Sequence, residues 1–491
     1  LARTESDCAV LDYYIDSSSY RTGLIEDQII EVYCSEGSGR VAEIIGSSCS
    51  RVVVGLGKTG MSCVRYLAEK NLPFKVIDTR VSPPGLNELK RKYPQIPVHT
   101  GSFEKSWLLA ADEIVLSPGV AMVEPEIAEA IAAGAKVVGD IELFCREVDK
   151  PVVAITGSNG KSTVTSLLGE MAKQAAINVA VGGNIGVPVL DLLQDDSIEL
   201  FILELSSFQL ETTHSLRASA ATVLNLSPDH MDRYASMIEY HKAKQRIYRG
   251  CSNAVYFKPD ALTVPLLSEA TRGIAFTSGK PDLNDYGLLG DNEGVWLCKG
   301  VVRLLNSSEM KLQGRHNQTN ALAALALGES VGIPLEPMLK ALKGFPGLSH
   351  RCQWIAEKDG VIWVNDSKAT NVGASVAAIE GLGQVIPGKV VLIAGGDGKG
   401  ADFSQLKSPV QRYVRELIVI GRDGEQISEA VKGAASCTYA EDLSFAVDRA
   451  LEVSQHGDTV LLAPACASFD MFSSFEQRGD QFVALVREKL R

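Results

Sequence analysis

At 491 residues, 45% hydrophobic and 22% charged, with 44 glycines, the chain reads as a soluble globular protein of about three domains at ~150 residues each. A net charge of −12 argues against a general nucleic-acid binder, which needs a basic surface to neutralise phosphates, although a local cleft can still be positive. The 10 cysteines are scattered from Cys8 to Cys466 without zinc spacing, no apolar run reaches the ~18–20 residues that span a bilayer, and no export signal opens the chain, so the expectation is a cytoplasmic enzyme with reduced thiols.

In chain order, residues 1–47 stand apart. They hold nine acidic and three basic residues, half the net charge in a tenth of the length, and a Ser17-Ser18-Ser19 run. The expectation is a flexible extension with no catalytic role. From Cys49 onward strand and helix signals alternate. The β-branched runs Arg51–Val54, Pro151–Ile155, Leu200–Leu203 and Lys389–Ile393 each lead into Gly, Asn or Ser turns, and helical stretches follow at Ser62–Lys70 and Ser162–Gln174. That alternation predicts an α/β protein of parallel sheets covered on both faces. Three blocks are expected: 48–140 and 347–491 resembling Rossmann folds, and 141–346 as a P-loop ATPase-type sheet, with Gly344–Gly347 as the linker before the last.

The first motif is Gly55-Leu56-Gly57-Lys58-Thr59-Gly60, after a strand and opening a helix, with Asp78 ending the next strand. Glycines let a backbone approach a diphosphate, and a helix N-terminus supplies N–H donors. Alone it is a dinucleotide fingerprint that would suggest an NAD-dependent dehydrogenase; Thr79 and Arg80 could equally meet a base or phosphate. The second is Thr156-Gly157-Ser158-Asn159-Gly160-Lys161-Ser162-Thr163. Its N–H groups would cradle phosphates, Lys161 would reach the β- and γ-phosphates, and Ser162 would ligate Mg²⁺. It departs from GxxxxGK[ST], because Ile155 stands where that pattern has its first glycine.

A P-loop needs further ligands to complete a metal shell. Glu204 ends a strand where its carboxylate would leave the sheet's C-terminal edge. Asp229-His230-Met231-Asp232 offers a histidine and two acids, as metal site or as loop polarity. Tyr240–Ile247 reads as an ordinary basic helix. Asn365–Asn371 and Gly395–Gly400 are polar loops after strands. Pro464–Asp470 holds a cysteine and a serine, but no GxSxG elbow or histidine partner supports a hydrolase.

Together these segments resemble the Mur ligase family over 49–491. The most specific are TGSNGKST (156–163), LELSSFQLE (203–211), DHMDRY (229–234), HNQTNALAALAL (316–327), NDSKATN (365–371), GGDGKGADF (395–403) and PACASFDMF (464–472). NDSKATN and ACAS look like the family's D-glutamate-adding branch. The resemblance implies an ATP-dependent amide-bond ligase joining D-glutamate to UDP-N-acetylmuramoyl-L-alanine, a monomer without nucleic-acid partner or membrane span, using ATP and two Mg²⁺ ions in peptidoglycan synthesis. It places Gly55, Leu56, Gly57, Thr79 and Arg80 at the UDP group, so the dehydrogenase reading falls, and Asn184 and His230 near the substrate's acyl end. Gly157 to Thr163, Asn317, Asn320, Arg351, Asp366 and Lys368 would bind ATP, with Arg351 at the γ-phosphate. Ser162, Glu204, His230 and Lys244 would hold the metals, Lys244 as a CO₂-derived carbamate, which inverts its reading as one more basic helix residue. Thr370, Lys399, Ser468 and Phe475 would form the D-glutamate pocket. Lys161, His230, Lys244 and Arg351 carry the chemistry. Ser349 stands where the family pattern has proline, but Arg351 is retained. Other readings are a sister ligase with a different amino acid, or a nucleotide-binding regulatory module without catalysis.

Overall fold

A computed structural model describes residues 49–491, apart from Asp232, residues 267–269 and Gln313, together with the paired two-residue strands Tyr20–Arg21 and Tyr33–Cys34. The expected extension at 1–47 therefore lies almost wholly outside the described residues. The chain divides into two compact units, the first ending at Asp140 and the second running Ile141–Arg491.

In the first unit five parallel strands lie in the order Val98–Thr100, Phe74–Asp78, Arg51–Val54, Glu113–Leu116, Lys136–Val138. The run Val52-Val53-Val54 is buried throughout, as a strand covered on both faces requires. Strand order reverses between Arg51–Val54 and Glu113–Leu116, and the glycine turn emerges at that switch point, where ligands of open α/β sheets bind. The helix there is Lys58–Glu69, four residues earlier at its start than the apolar pattern suggested. The turn itself is its first turn: a Cβ on Gly60 would lie 1.8 Å from the Gly55 carbonyl oxygen, so only glycine lets helix and strand meet there.

The second unit holds two sheets. The larger runs Val302–Asn306, Gly294–Lys299, Tyr286–Asp291, Arg272–Phe276, Asn253–Phe257, Ala220–Val223, Val152–Thr156, Leu200–Glu204, Val179–Gly183. The smaller runs Gln353–Lys358, Val361–Asn365, Thr459–Leu462, Val390–Gly395, Val414–Ile420, Ser436–Tyr439. Neither is wholly parallel, against expectation. Tyr286–Asn306 adds an antiparallel meander to the first sheet, and Gln353–Lys358 pairs antiparallel at the edge of the second. Short turns such as Asn292-Glu293 join those strands, and a turn that short permits only antiparallel pairing. Helix Arg315–Ser330 is buried from Ala321 through Gly328, so it is core on every face rather than amphipathic, and it packs with Lys161–Gln174 over the larger sheet. Among the described residues no helix is long and apolar enough to cross a membrane.

Candidate active site

In the first unit the fingerprint acid is already engaged. Asp78 is buried and accepts from the Leu56 backbone N–H (2.6 Å), from the Arg80 N–H (2.9 Å) and from both ends of the Arg80 guanidinium (2.9 and 2.6 Å). Burial works to raise its carboxyl, but the Arg80 guanidinium and the two backbone donors outweigh it and hold the group below the usual carboxylate range. Asp78 thus fixes the glycine turn and aims Arg80, instead of waiting for a ribose. Thr79 and Arg80 are exposed beside it, and a Cβ on Gly57 would meet nothing within 4 Å, so the turn is open at its tip.

In the second unit the strand Val152–Thr156 delivers the loop Gly157-Ser158-Asn159-Gly160 into helix Lys161–Gln174, and Gly160 turns at φ +81° to start it. The loop after the adjacent strand Ala220–Val223 clasps the Gly157–Gly160 loop: the Asn159 N–H donates to Asn225 Oδ1 (2.9 Å), Asn225 Nδ2 donates to the Asn159 carbonyl (3.0 Å), and the Ser227 N–H donates to Ser158 Oγ (3.0 Å). Lys161 Nζ folds over the loop, donating to the carbonyls of Gly157 (2.8 Å) and Ser158 (2.9 Å). Burial lowers its pKa, partly offset by Glu204 and Asp229.

Glu204 leaves the neighbouring strand at the same edge, its carboxylate in contact with two of the predicted residues. Ser162 Oγ donates to its Oε2 (2.5 Å) and Asn184 Nδ2 to its Oε1 (2.8 Å). Arg351, from the far sheet's first loop, donates through Nη2 to Ser162 Oγ (2.6 Å), bringing a fixed cation onto the P-loop hydroxyl. Ser162 and Glu204 are hard oxygen donors in mutual contact, a set that suits Mg²⁺ when phosphate oxygens complete the shell. Among the described residues no three His, Cys, Asp or Glu side chains cluster as a metal site by themselves.

The helix Met237–Gln245 is not the solvated basic helix its composition suggested. Tyr240 and Lys244 are buried; Lys244 is 2% exposed. Lys244 Nζ donates to Thr156 Oγ1 (3.2 Å) and the Gly157 carbonyl (3.0 Å), directly beneath the phosphate loop. Burial, reinforced by the charge of Lys161, drives its pKa well below that of an ordinary lysine. Tyr240 OH lies 3.1 Å from Ser158 Oγ. His230 is less enclosed: its side chain is 45% exposed, at 3.8 Å from Asp229 and edge-on to Phe208, with φ +56°. Asp232 of the same motif lies outside the described residues.

A cavity of about 360 Å³ opens beside the loop, within the usual range for small-molecule sites. Its lining joins Asn159, Gly160, Thr163, Asn317, Asn320, Arg351, Asp366 and Lys368 to the apolar Phe257, Phe276, Leu312 and Leu348. Burial raises the Asp366 carboxyl to about 6 and lowers the Lys368 amine to about 8, the latter helped by Arg351.

At the C-terminal edge of the smaller sheet, Thr370, Lys399 and Ser468 stand on three loops that are tied together. The Ala465 N–H donates to the Ala369 carbonyl (2.9 Å), and Asp397 and Ala467 exchange backbone hydrogen bonds (3.0 and 2.9 Å). Phe475 opens helix Phe475–Lys489, with Lys368 Nζ 3.8 Å from its ring centroid. The residues missed from sequence are those that hold these loops: Asn225, Ser227, Tyr240 and Arg478. Asn225 and Ser227 carried a faint signal as polar residues just after a buried strand. Arg478, inside a helix, carried none.

Fold and site are those of a P-loop nucleotide-using enzyme. The family descriptions "Mur ligase MurD-like, N-terminal domain", "Mur ligase middle domain" and "Mur ligase, glutamate ligase domain" match residues 49–139, 155–328 and 350–466. The UDP-N-acetylmuramoylalanine--D-glutamate ligase of Pseudomonas aeruginosa is 53% identical over 91% of the chain and 99% of its own length, and that of Pseudomonas fluorescens is 54% identical over the same shares. The crystal structure of the Thermotoga maritima UDP-N-acetylmuramate-alanine ligase MurC matches at a TM-score of 0.55 and 20% identity, over 90% of this chain and 100% of that one, which speaks to fold alone. The chain belongs to the Mur ligase family, on its MurD-like branch.

Proposed function

We propose that the chain joins D-glutamate to UDP-N-acetylmuramoyl-L-alanine at the expense of ATP, in peptidoglycan precursor synthesis in the cytoplasm. The observation that carries this is 53% identity over 91% of the chain to a ligase named for that reaction. The P-loop, the strand-end carboxylate and the adjoining cavity supply the nucleotide half of the chemistry.

The terminal carboxylate of the substrate attacks the γ-phosphorus of ATP, and ADP leaves. The amine of D-glutamate then attacks the acyl carbon, phosphate departs, and the amine loses a proton as the amide forms. A carboxylate is a poor acyl donor, so the phosphate is the leaving group it lacks. The chain contributes mainly position and charge. Gly157 to Thr163 cradle the phosphates; Lys161 exchanges its loop carbonyls for phosphate oxygens; Arg351 moves from Ser162 to the γ-phosphate. Asn317, Asn320, Asp366 and Lys368 hold the nucleoside in the cavity. Ser162 and Glu204 would hold one Mg²⁺, and His230 with carbamylated Lys244 a second, and the ions when bound neutralise the negative charge on the phosphates. Lys244 is suited to carbamylation because burial favours its neutral amine, the form that adds CO₂ with loss of a proton.

Gly55, Leu56, Gly57, Thr79 and Arg80 take the UDP group, and Asn184 and His230 face the acyl end. Thr370, Lys399, Ser468 and Phe475 take D-glutamate. The corresponding division is 48–140 for the UDP-substrate, 141–346 for ATP and 347–491 for the amino acid, in a monomer.

The test is phosphate release from MgATP and UDP-N-acetylmuramoyl-L-alanine with D-Glu, L-Glu, L-Ala or meso-diaminopimelate. Release with D-Glu alone is expected, and near-abolition in Lys161→Ala. Release with another amino acid would move the substrate, and normal turnover by Lys161→Ala would sink the scheme.

A further inference from the structure

Helix Phe475–Lys489 begins at the edge where the three C-terminal loops meet, and its fourth residue is Arg478. A charged residue at that place in a helix is ordinarily solvated, yet Arg478 is 1% exposed. All three nitrogens find oxygen partners. Nε donates to Ser367 Oγ (3.0 Å); Nη2 donates to the carbonyls of Ser367 (2.8 Å) and Cys466 (3.2 Å); Nη1 donates to those of Ala467 (3.4 Å) and Gly395 (3.5 Å). Ser367 Oγ in turn donates to the Phe475 carbonyl (2.8 Å).

Each contact lies close in sequence to one residue of the proposed D-glutamate pocket. Ser367 precedes Thr370 on its loop, Gly395 begins the loop of Lys399, and Cys466 and Ala467 lead directly into Ser468. Phe475 opens the helix that carries the arginine. The acceptors are all neutral: no carboxylate takes one of these hydrogen bonds, and Asp470 acts on the guanidinium only through space. Burial lowers the arginine's pKa to about 10, so it remains a cation at neutral pH. Lysine, a point charge on a flexible stem, has no planar fork with which to bond three loops at once.

Resting on the ligase reading above, we propose that Arg478 is the positioning residue of the amino-acid pocket, setting the three loops in register and adding a buried positive charge behind a site for a dicarboxylate. It touches neither ATP nor the acyl group.

The test separates the two half-reactions in the full-length enzyme. Hydroxylamine traps the acyl phosphate: its nitrogen attacks the acyl carbon, phosphate leaves, and a hydroxamate forms without any amino acid. R478M should make hydroxamate at close to the wild-type rate, while the KM for D-glutamate rises by about 100-fold, the scale of a displaced reacting group. R478K keeps the charge but not the fork and should show a smaller rise in the same KM with a modestly lowered melting temperature; it carries the test if R478M does not fold. An unchanged KM for D-glutamate in R478K, or in a folded R478M, overturns the proposal. So does a parallel loss of hydroxamate and amide, which would mark a general structural role. Should the wild-type enzyme form hydroxamate but no amide with D-glutamate, the amino-acid assignment itself fails, and the proposal with it.

Discussion

Replacing Glu204 by glutamine separates a catalytic role from a structural one at the centre of the site. The carboxylate accepts from Ser162 at 2.5 Å and from Asn184 at 2.8 Å, and Lys161, Lys244, Arg351 and Lys368 all sense its charge. Glutamine keeps the shape. Its carbonyl can still accept from Asn184, while its NH₂ faces a Ser162 hydroxyl that can rotate to accept. The folding cost is the loss of charge-assistance in two hydrogen bonds together with the lost attraction for those cations, about a few kcal/mol in all. In a unit this large that lowers the melting temperature by only a few degrees. The catalytic cost is of another size. An oxygen that helps hold Mg²⁺ against the phosphates acts where charge builds, and losing one such group costs about 3–4 kcal/mol, or 10²–10³ in turnover. The assay is D-glutamate-dependent phosphate release across a Mg²⁺ titration, beside a thermal melt of the same sample. Glu204→Gln should melt within a few degrees of wild type, turn over at least about a hundredfold more slowly, and require more Mg²⁺. Turnover within threefold of wild type at saturating Mg²⁺ would refute the metal role.

Gly160→Ala adds a Cβ at φ +81°, 2.6 Å from Asn320 Oδ1; the left-handed strain alone is about 1–2 kcal/mol, so the KM for ATP should rise roughly tenfold, and an unchanged KM would show that the loop does not hold the nucleotide. Lys244→Met should abolish turnover yet stabilise CO₂-free protein. The folded pKa is lowered, so the unfolded chain binds more protons between that value and ~10.5, and the advantage of methionine should be full below the folded value and shrink to nothing as pH rises toward ~10.5. Urea melts at several pH values check the trend, and an advantage that grows with pH would refute it. Asp78→Asn should speed hydrogen exchange at the Leu56 and Arg80 amides by the worth of a charge-assisted bond, about 1–3 kcal/mol. Because the folded carboxyl is held low, the wild-type advantage should be full above the unfolded value of ~4 and be lost as pH falls below it; unaltered protection would remove Asp78 from its role in the glycine turn.

The sequence by itself determined what depends on neighbours along the chain. Buried runs such as Val152–Ile155 and Leu200–Leu203 specified strands because β-branched and large apolar residues fit a covered pleated surface. Their exits into Gly157 and Glu204 marked the sheet edge where a ligand binds, and the resemblance of seven segments to Mur ligases marked the family. Helix starts were less legible, since the turn at Gly55–Gly60 is loop by composition and helix by geometry from Lys58. The antiparallel meander after Tyr286 was missed because it follows six parallel strands in the sheet and has no compositional break.

Burial of charge was beyond local reading. Nothing in Tyr240–Ile247 says that Lys244 is enclosed; the phosphate loop at Thr156-Gly157, 88 and 87 residues away, encloses it. Arg351 reaches Ser162 across 189 residues, and Arg478 reaches Ser367 across 111. A side chain's desolvation and hydrogen-bond partners are set by whatever the fold packs against it, and those determine whether an amine is neutral or a guanidinium binds loops together. Tertiary structure alone decided these roles, because the energy of a charge depends on its surroundings in space and not on its neighbours in the chain.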